Sequence, residues 1–175
     1  MSLKGKTVAI LVEQQYQEME IWAPYYRLVE AGARVELVGQ EKGKVYPSKL
    51  GYPCAATSSY KDLPAKKADA VIVPGGFAPD FMRRYPEPAR FVAEVAKGGK
   101  LVASICHGAW LLCSADVLRG RKATCFYAIA DDVKNAGAKY VDEECVVDGN
   151  LITSRKPEDI PAFCSAIVSY LQNAR

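Results

Sequence analysis

Leu101-Val102-Ala103-Ser104-Ile105-Cys106-His107-Gly108-Ala109-Trp110 is an apolar run that stops at a Cys-His-Gly and resumes with helical spacing. Val102, Ala103 and Ile105 suit a strand covered on both faces, and Trp110, Leu111 and Leu112 suit the apolar side of a helix starting near Gly108. Cys106 then sits at the hinge. With small residues two before it, Ser104, and two after it, Gly108, the stretch has the form of a nucleophile elbow, where a strained strand-to-helix turn exposes one side chain. A thiol at a helix N-terminus also meets the positive end of the helix dipole, which predicts a lowered pKa and a larger thiolate fraction. The alternative is a small buried hydrophobe, the usual state of a free Cys. The elbow context favours the reactive reading.

Outward from this turn, strand and helix patterns alternate. Lys6-Thr7-Val8-Ala9-Ile10-Leu11-Val12 is a first strand, apolar and partly β-branched, ending in the polar Glu13-Gln14-Gln15-Tyr16-Gln17. A helical pattern over residues 18–31 closes at Gly32; because Pro24 is tolerated only in a first turn, the helix proper is expected to begin at residues 21–23. Ala33 to Val38 forms a second strand with Gly39 as its stop, and residues 41–64 carry only weak signals of short hairpin strands and loops. Ala70-Val71-Ile72-Val73 is a strand stopped by Pro74-Gly75-Gly76, with one short and one longer helix after it. Beyond the Cys106 unit come a short strand at residues 122–126 and a helix at 129–136. Residues 145–153 are a hairpin around Asp148-Gly149-Asn150. A final amphipathic helix over 157–172 places Ile160, Phe163, Cys164, Ile167, Val168 and Leu171 on one side. This alternation predicts an open, mainly parallel α/β sheet with helices on both faces, formed by a single domain over residues 1–175.

Composition narrows the chemistry. The 23 basic and 20 acidic side chains of the 175 residues leave a net charge of +3 with no basic stripe, so nucleic acid is not an expected partner. No apolar run reaches the roughly 18 residues of a membrane span and no signal-peptide pattern opens the chain, so membrane association is not expected and a cytoplasmic location is. The six cysteines are scattered without a C-x-x-C pair and read as reduced thiols. His107 is the only histidine. A zinc site of ordinary Cys/His spacing cannot be built around it, and no remote catalytic histidine exists, so no metal is expected.

In doubly wound sheets, ligands bind beyond the carboxyl ends of the strands at a switch point. Three unusual stretches fall there: residues 13–20, Pro74-Gly75-Gly76, and Cys106-His107. They are expected to converge. A thiolate needs a neighbour that takes its proton or holds its charge. Consecutive side chains at an elbow diverge, which places the His107 imidazole poorly for deprotonating Cys106, whereas its backbone N–H is well placed. With an N–H from Gly75 or Gly76 it would form an oxyanion hole, although a Pro-Gly-Gly is equally a simple turn. Glu18 and Glu20 are the candidate carboxylates, against the plainer reading that both solvate a helix start.

Taken together, Ala103-Ser104-Ile105-Cys106-His107-Gly108, Glu18-Met19-Glu20, Val73-Pro74-Gly75-Gly76 with Ala78-Pro79, Leu118-Arg119-Gly120-Arg121-Lys122, and residues 147–155 resemble the ThiJ/PfpI superfamily nearly end to end. The likeness is greatest to its PfpI-type intracellular peptidases and the parkinsonism-associated protein deglycases. The resemblance implies a flavodoxin-like three-layer sandwich related to class I glutamine amidotransferases, a homodimer or higher homo-oligomer, and no cofactor. It further implies a nucleophile at Cys106, a protonated Glu20 hydrogen-bonded to it, and an oxyanion hole at Gly76 and His107. The chain departs from the PfpI pattern at Phe77, where that branch tends to have Arg, and at Phe126, where Tyr or His is usual. Asp80 stands where an acid, usually Glu, is thought to reach a neighbouring subunit's histidine.

Four functions are expected to compete. In the favoured one, Cys106 adds to small aldehydes or glycated groups on small molecules or proteins, the oxyanion hole takes the charge, and Glu20 or His107 moves protons, as in a glyoxalase III or deglycase. The others are a peptidase using Asp80 and His107 across a subunit boundary, an oxidative-stress sensor or chaperone working through oxidation of Cys106, and a fold kept for interaction alone.

Overall fold

The computed structural model describes residues 2–174. Its strands are β1 (Thr7–Leu11), β2 (Arg34–Gly39), β3 (Val45–Pro47), β4 (Pro53–Ala55), β5 (Ser58–Ser59), β6 (Ala70–Val73), β7 (Leu101–Ile105), β8 (Lys122–Ala123), β9 (Lys139–Tyr140), β10 (Cys145–Asp148) and β11 (Leu151–Ser154). Its α-helices are α1 (Glu18–Glu30), α2 (Ala78–Met82), α3 (Pro86–Lys97), α4 (Ala109–Ser114), α5 (Ala130–Asn135) and α6 (Ile160–Asn173). Seven strands form the central sheet in the order β10-β11-β7-β6-β1-β2-β5. All its pairings are parallel except β10 with β11. Every residue of β6 and β7 is buried, which is why these strands read as unbroken apolar runs rather than alternating ones.

Helices cover both faces. On one, α1 packs beside α6; on the other, α2 and α3 pack beside α4. The result is a flavodoxin-like α/β sandwich. The six apolar residues expected on one side of the last helix are all buried in α6, and each such burial stabilises by about 1.5–3 kcal/mol. The weakly patterned stretch resolves into an antiparallel β3–β4 hairpin and the edge strand β5. The segment at residues 122–126 keeps only β8, which pairs with β9 outside the main sheet. Among the described residues, no helix is long and apolar enough to cross a membrane.

The expected late start of the first helix is corrected: α1 begins at Glu18 and carries Pro24 in its second turn. The Gln17 side chain accepts the N–H groups of Met19 at 2.7 Å and Glu20 at 3.2 Å, satisfying helix-start donors that would otherwise be orphaned. Pro24 leaves the Glu20 carbonyl without its i+4 donor, a cost met by burying Glu20, Ile21, Pro24 and Leu28 against the sheet. This early start is what points Glu20 inward.

From β1 the chain steps outward to β2, then returns to lay β6 on the other side of β1. That reversal is the switch point, and the three unusual stretches meet beside it. Tyr16 bridges to Gly76, the Phe77 N–H donates to the Gln15 carbonyl at 2.8 Å, and the Gln17 N–H donates to the Gly75 carbonyl at 3.4 Å.

Candidate active site

Cys106 follows β7 directly and has φ of +60°, a left-handed conformation that a non-glycine residue adopts at a cost of about 1–2 kcal/mol. The elbow is therefore real. Its side chain is 8% exposed at the floor of a cavity of about 240 Å³ lined by Glu20, Lys49, Gly76, Phe77, His107 and Phe126. The backbone N–H groups of Gly76 and His107 donate toward the sulfur.

Glu20 lies behind the sulfur, with no exposed surface. Its Oε2 accepts the Gly75 N–H at 2.6 Å, while Oε1 is buried without a nitrogen or oxygen partner and the carboxyl interacts with the Cys106 thiol. Burial pushes the carboxyl up to about 8, against the opposing pull of the Gly75 N–H, so Glu20 keeps its proton at neutral pH. A protonated carboxyl has an O–H to give, and the sulfur is the neighbour that can take it.

The lowered thiol pKa expected from the helix dipole is overturned. Burial first, and the adjacent Glu20 second, push the Cys106 thiol up to about 12, outweighing the Gly76 and His107 N–H groups that favour the thiolate. The helix behind it is only a 3₁₀ turn at residues 106–108 followed by the six residues of α4, too little dipole to offset desolvation. The Glu20 contribution belongs to its carboxylate form. With Glu20 protonated, that repulsion is absent and its hydrogen bond stabilises the thiolate instead, so the pair holds at most one negative charge near neutrality.

The position expected for the His107 side chain is also corrected. Its Nδ1 lies 3.4 Å from the Cys106 sulfur, because the left-handed backbone at Cys106 breaks the alternation that would separate consecutive side chains. The ring is stacked on Phe126, with centroids 4.9 Å apart, meets Trp110 edge-on at 5.1 Å, and has Phe77 at 6.0 Å. Burial, then the Lys49 charge, lowers its pKa, so the imidazole is neutral and able to accept a proton.

Of the expected residues, the structure thus brings together Cys106, His107, Glu20, Gly75 and Gly76. Gly75 serves differently than expected: its N–H is taken by Glu20, leaving Gly76 and His107 as the donors that face the cavity. Its second function is steric, since a Cβ there would lie 2.7 Å from the Cys106 Cβ and 2.7 Å from Glu20 Oε2. Asp80 is not brought to the cavity. It is exposed on α2 and paired with Arg84 at 2.6 Å. Glu18 turns the other way, accepting from Ser48 Oγ and from the Leu50 N–H at 3.1 Å; these bonds outweigh partial burial and hold its pKa below the usual carboxylate range. Phe77 and Phe126 form apolar walls of the cavity.

Lys49 and Pro157 line the cavity and were not expected there; Gln17, which also lines it, lies in the expected 13–20 stretch but was not singled out. Pro157 follows closely on the 147–155 segment singled out in the sequence. Lys49 lies in the hairpin loop between β3 and β4, where no periodicity marks it.

Relatives share this arrangement of chain. The deglycase TK1284 of Thermococcus kodakarensis is 38% identical over 165 residues, covering 94% of this chain and 99% of that protein. The putative cysteine protease YraA of Bacillus subtilis is 37% identical over 159 residues, covering 91% and 94% respectively. A two-domain Anabaena variabilis protein with DJ-1/ThiJ/PfpI-like and ferritin-like domains superposes with a TM-score of 0.93 at 47% identity, covering 95% of this chain; the match spans 48% of that longer protein. The sequence profile of the DJ-1/PfpI family matches residues 6–170, and with relatives this similar along nearly their whole lengths, the chain belongs to that family.

Proposed function

We propose that this protein is a cofactor-independent enzyme in which Cys106 adds to the carbonyl of small aldehydes or early glycation adducts, as a deglycase or glyoxalase III. The observation that carries the reading is the setting of one sulfur: it faces two backbone N–H groups, a protonated buried carboxyl and a neutral imidazole, at the floor of an open cavity. The name of the Thermococcus kodakarensis relative supports the same class of activity.

Each group has a task. His107 Nδ1 takes the thiol proton as sulfur bonds to the aldehyde carbon, and the carbonyl π electrons move onto oxygen. The Gly76 and His107 N–H groups hold the developing oxyanion, which then receives the proton. For methylglyoxal, the resulting hemithioacetal loses its C1 proton and regains one at C2, becoming a thioester. Water cleaves the thioester to lactate and restores the thiol, so one water is consumed and no external oxidant or reductant is needed. Glu20 stabilises the sulfur as leaving group by donating its O–H.

A peptidase has support from the name of the Bacillus subtilis relative; it would require Asp80, exposed on α2 and paired with Arg84, to leave that pair for the His107 of a neighbouring subunit. The test is lactate formation from methylglyoxal, and amine release from a freshly glycated peptide, without glutathione. Wild type is expected to turn over at least one of these and Cys106→Ser neither. Equal, background-level rates for both proteins overturn the proposal.

A further inference from the structure

Lys49 is fixed at the cavity by its own backbone and by the side chain of the residue before it. Its own N–H donates to the Tyr16 carbonyl at 3.0 Å, and the preceding Ser48 donates through Oγ to Glu18. Its side chain lines the same cavity as Cys106 and His107. Among the described residues, no carboxylate comes within ion-pair distance of its ammonium group. Glu18 on α1 feels the Lys49 charge, but its oxygen is engaged by Ser48 and the Leu50 N–H. Glu20, the other acid of the cavity, is committed to Gly75 and lies behind the sulfur. Phe77 and Phe126, which also line the cavity, offer no charge. Lys49 is exposed, and a cation without an ion-pair partner beside a nucleophile raises the local concentration of anions there.

The geometry points to Lys49 as a specificity-determining residue that selects carbonyl substrates bearing an anionic group, a carboxylate or a phosphate, which it pairs while Cys106 attacks the carbonyl. This inference rests on the proposed function and narrows its substrate class.

Two measurements test it. In the first, kcat/KM is compared for an anionic and a neutral carbonyl, using glyoxylate against methylglyoxal and glyceraldehyde 3-phosphate against glyceraldehyde. Replacing Lys49→Gln is expected to lower the anionic-to-neutral ratio by about threefold to fivefold, the scale of one partly exposed ion pair, through KM rather than kcat. Lys49→Arg is expected to retain the ratio. The larger drop, with glyoxylate or with the phosphate, identifies which anion is meant. The second needs no turnover: peptide-resolved alkylation of Cys106 by iodoacetate and by iodoacetamide, in which sulfur displaces iodide. The iodoacetate-to-iodoacetamide rate ratio is expected to fall by a similar factor in Lys49→Gln and to weaken with added salt. Unchanged ratios in both measurements overturn the role of Lys49. Absence of any carbonyl turnover overturns the proposed function, while the alkylation ratio still decides whether the cavity attracts anions.

Discussion

Replacing Glu20→Gln should make the protein less sensitive to alkaline pH. Gln has nearly the same shape, can accept the Gly75 N–H through its oxygen and can donate to the Cys106 sulfur through its amide, but it never ionises. In wild type the fold favours the protonated carboxyl, moving its pKa from 4.5 to about 8. The folded state therefore binds the Glu20 proton more tightly than the unfolded chain, and stability must fall as pH rises through that window. At about 1.4 kcal/mol for each tenfold change in proton affinity, the displacement is worth about 4–5 kcal/mol, of which about 3–4 kcal/mol is lost between pH 5 and pH 8. Solvent does not dilute this figure, because Glu20 has no exposed surface. The assay is urea denaturation of both proteins at pH 5, 6, 7 and 8, with m-values checked for constancy. Groups common to both, His107 included, cancel in the comparison. Wild type should lose about 3–4 kcal/mol more than Glu20→Gln across this range. Parallel profiles would refute the argument that burial keeps Glu20 protonated, and with it the hydrogen bond offered to the thiolate.

Other changes probe the supporting structure. Gly76→Ala should lower stability by at least about 2 kcal/mol in thermal or urea denaturation, since Gly76 has φ of +70° and a Cβ there would come within 2.6 Å of the Gln17 nitrogen. The single histidine makes an NMR titration unambiguous: His107 should titrate below 6.5 in wild type and move upward in Phe126→Ala, which strips one stacked ring and admits water. Phe163→Ala, emptying a fully buried site on α6, should cost about 3–5 kcal/mol by denaturant midpoint while leaving the Cys106 labelling pattern intact.

The parts of the fold that could be read directly are those whose pattern is set by one environment. β6 and β7 are covered on both faces, so their sequences are continuous apolar runs; α6 has one face inward, so its six core residues recur at helical spacing. The Asp148-Gly149-Asn150 turn marks itself, with Gly149 at φ of +56° between β10 and β11. The site was legible as a convergence of three loops for the same topological reason. What escaped depends on tertiary contact. The dipole argument at Cys106 sees the residues that follow but not the burial of the sulfur, which outweighs the dipole. The divergence argument at His107 assumes ordinary backbone, which the left-handed turn removes. Pro24 reads as a helix limit until the Gln17 cap and the packing of α1 are in view. Lys49 lies in a loop whose residues are placed by bonds to Tyr16 and Glu18, and no periodicity announces such bonds.

The most direct test of the account is competition among the six cysteines for a limiting amount of iodoacetamide at pH 7, quantified peptide by peptide. Cys113 and Cys145 are better exposed than Cys106, so accessibility alone would label them first. If His107 takes the thiol proton during attack, while the Gly76 and His107 N–H groups and the Glu20 O–H hold the charge developing on sulfur, Cys106 is labelled first despite its raised pKa, and Cys113 and Cys145 trail it. Labelling that follows exposure, with Cys106 last or level with the others, contradicts the account.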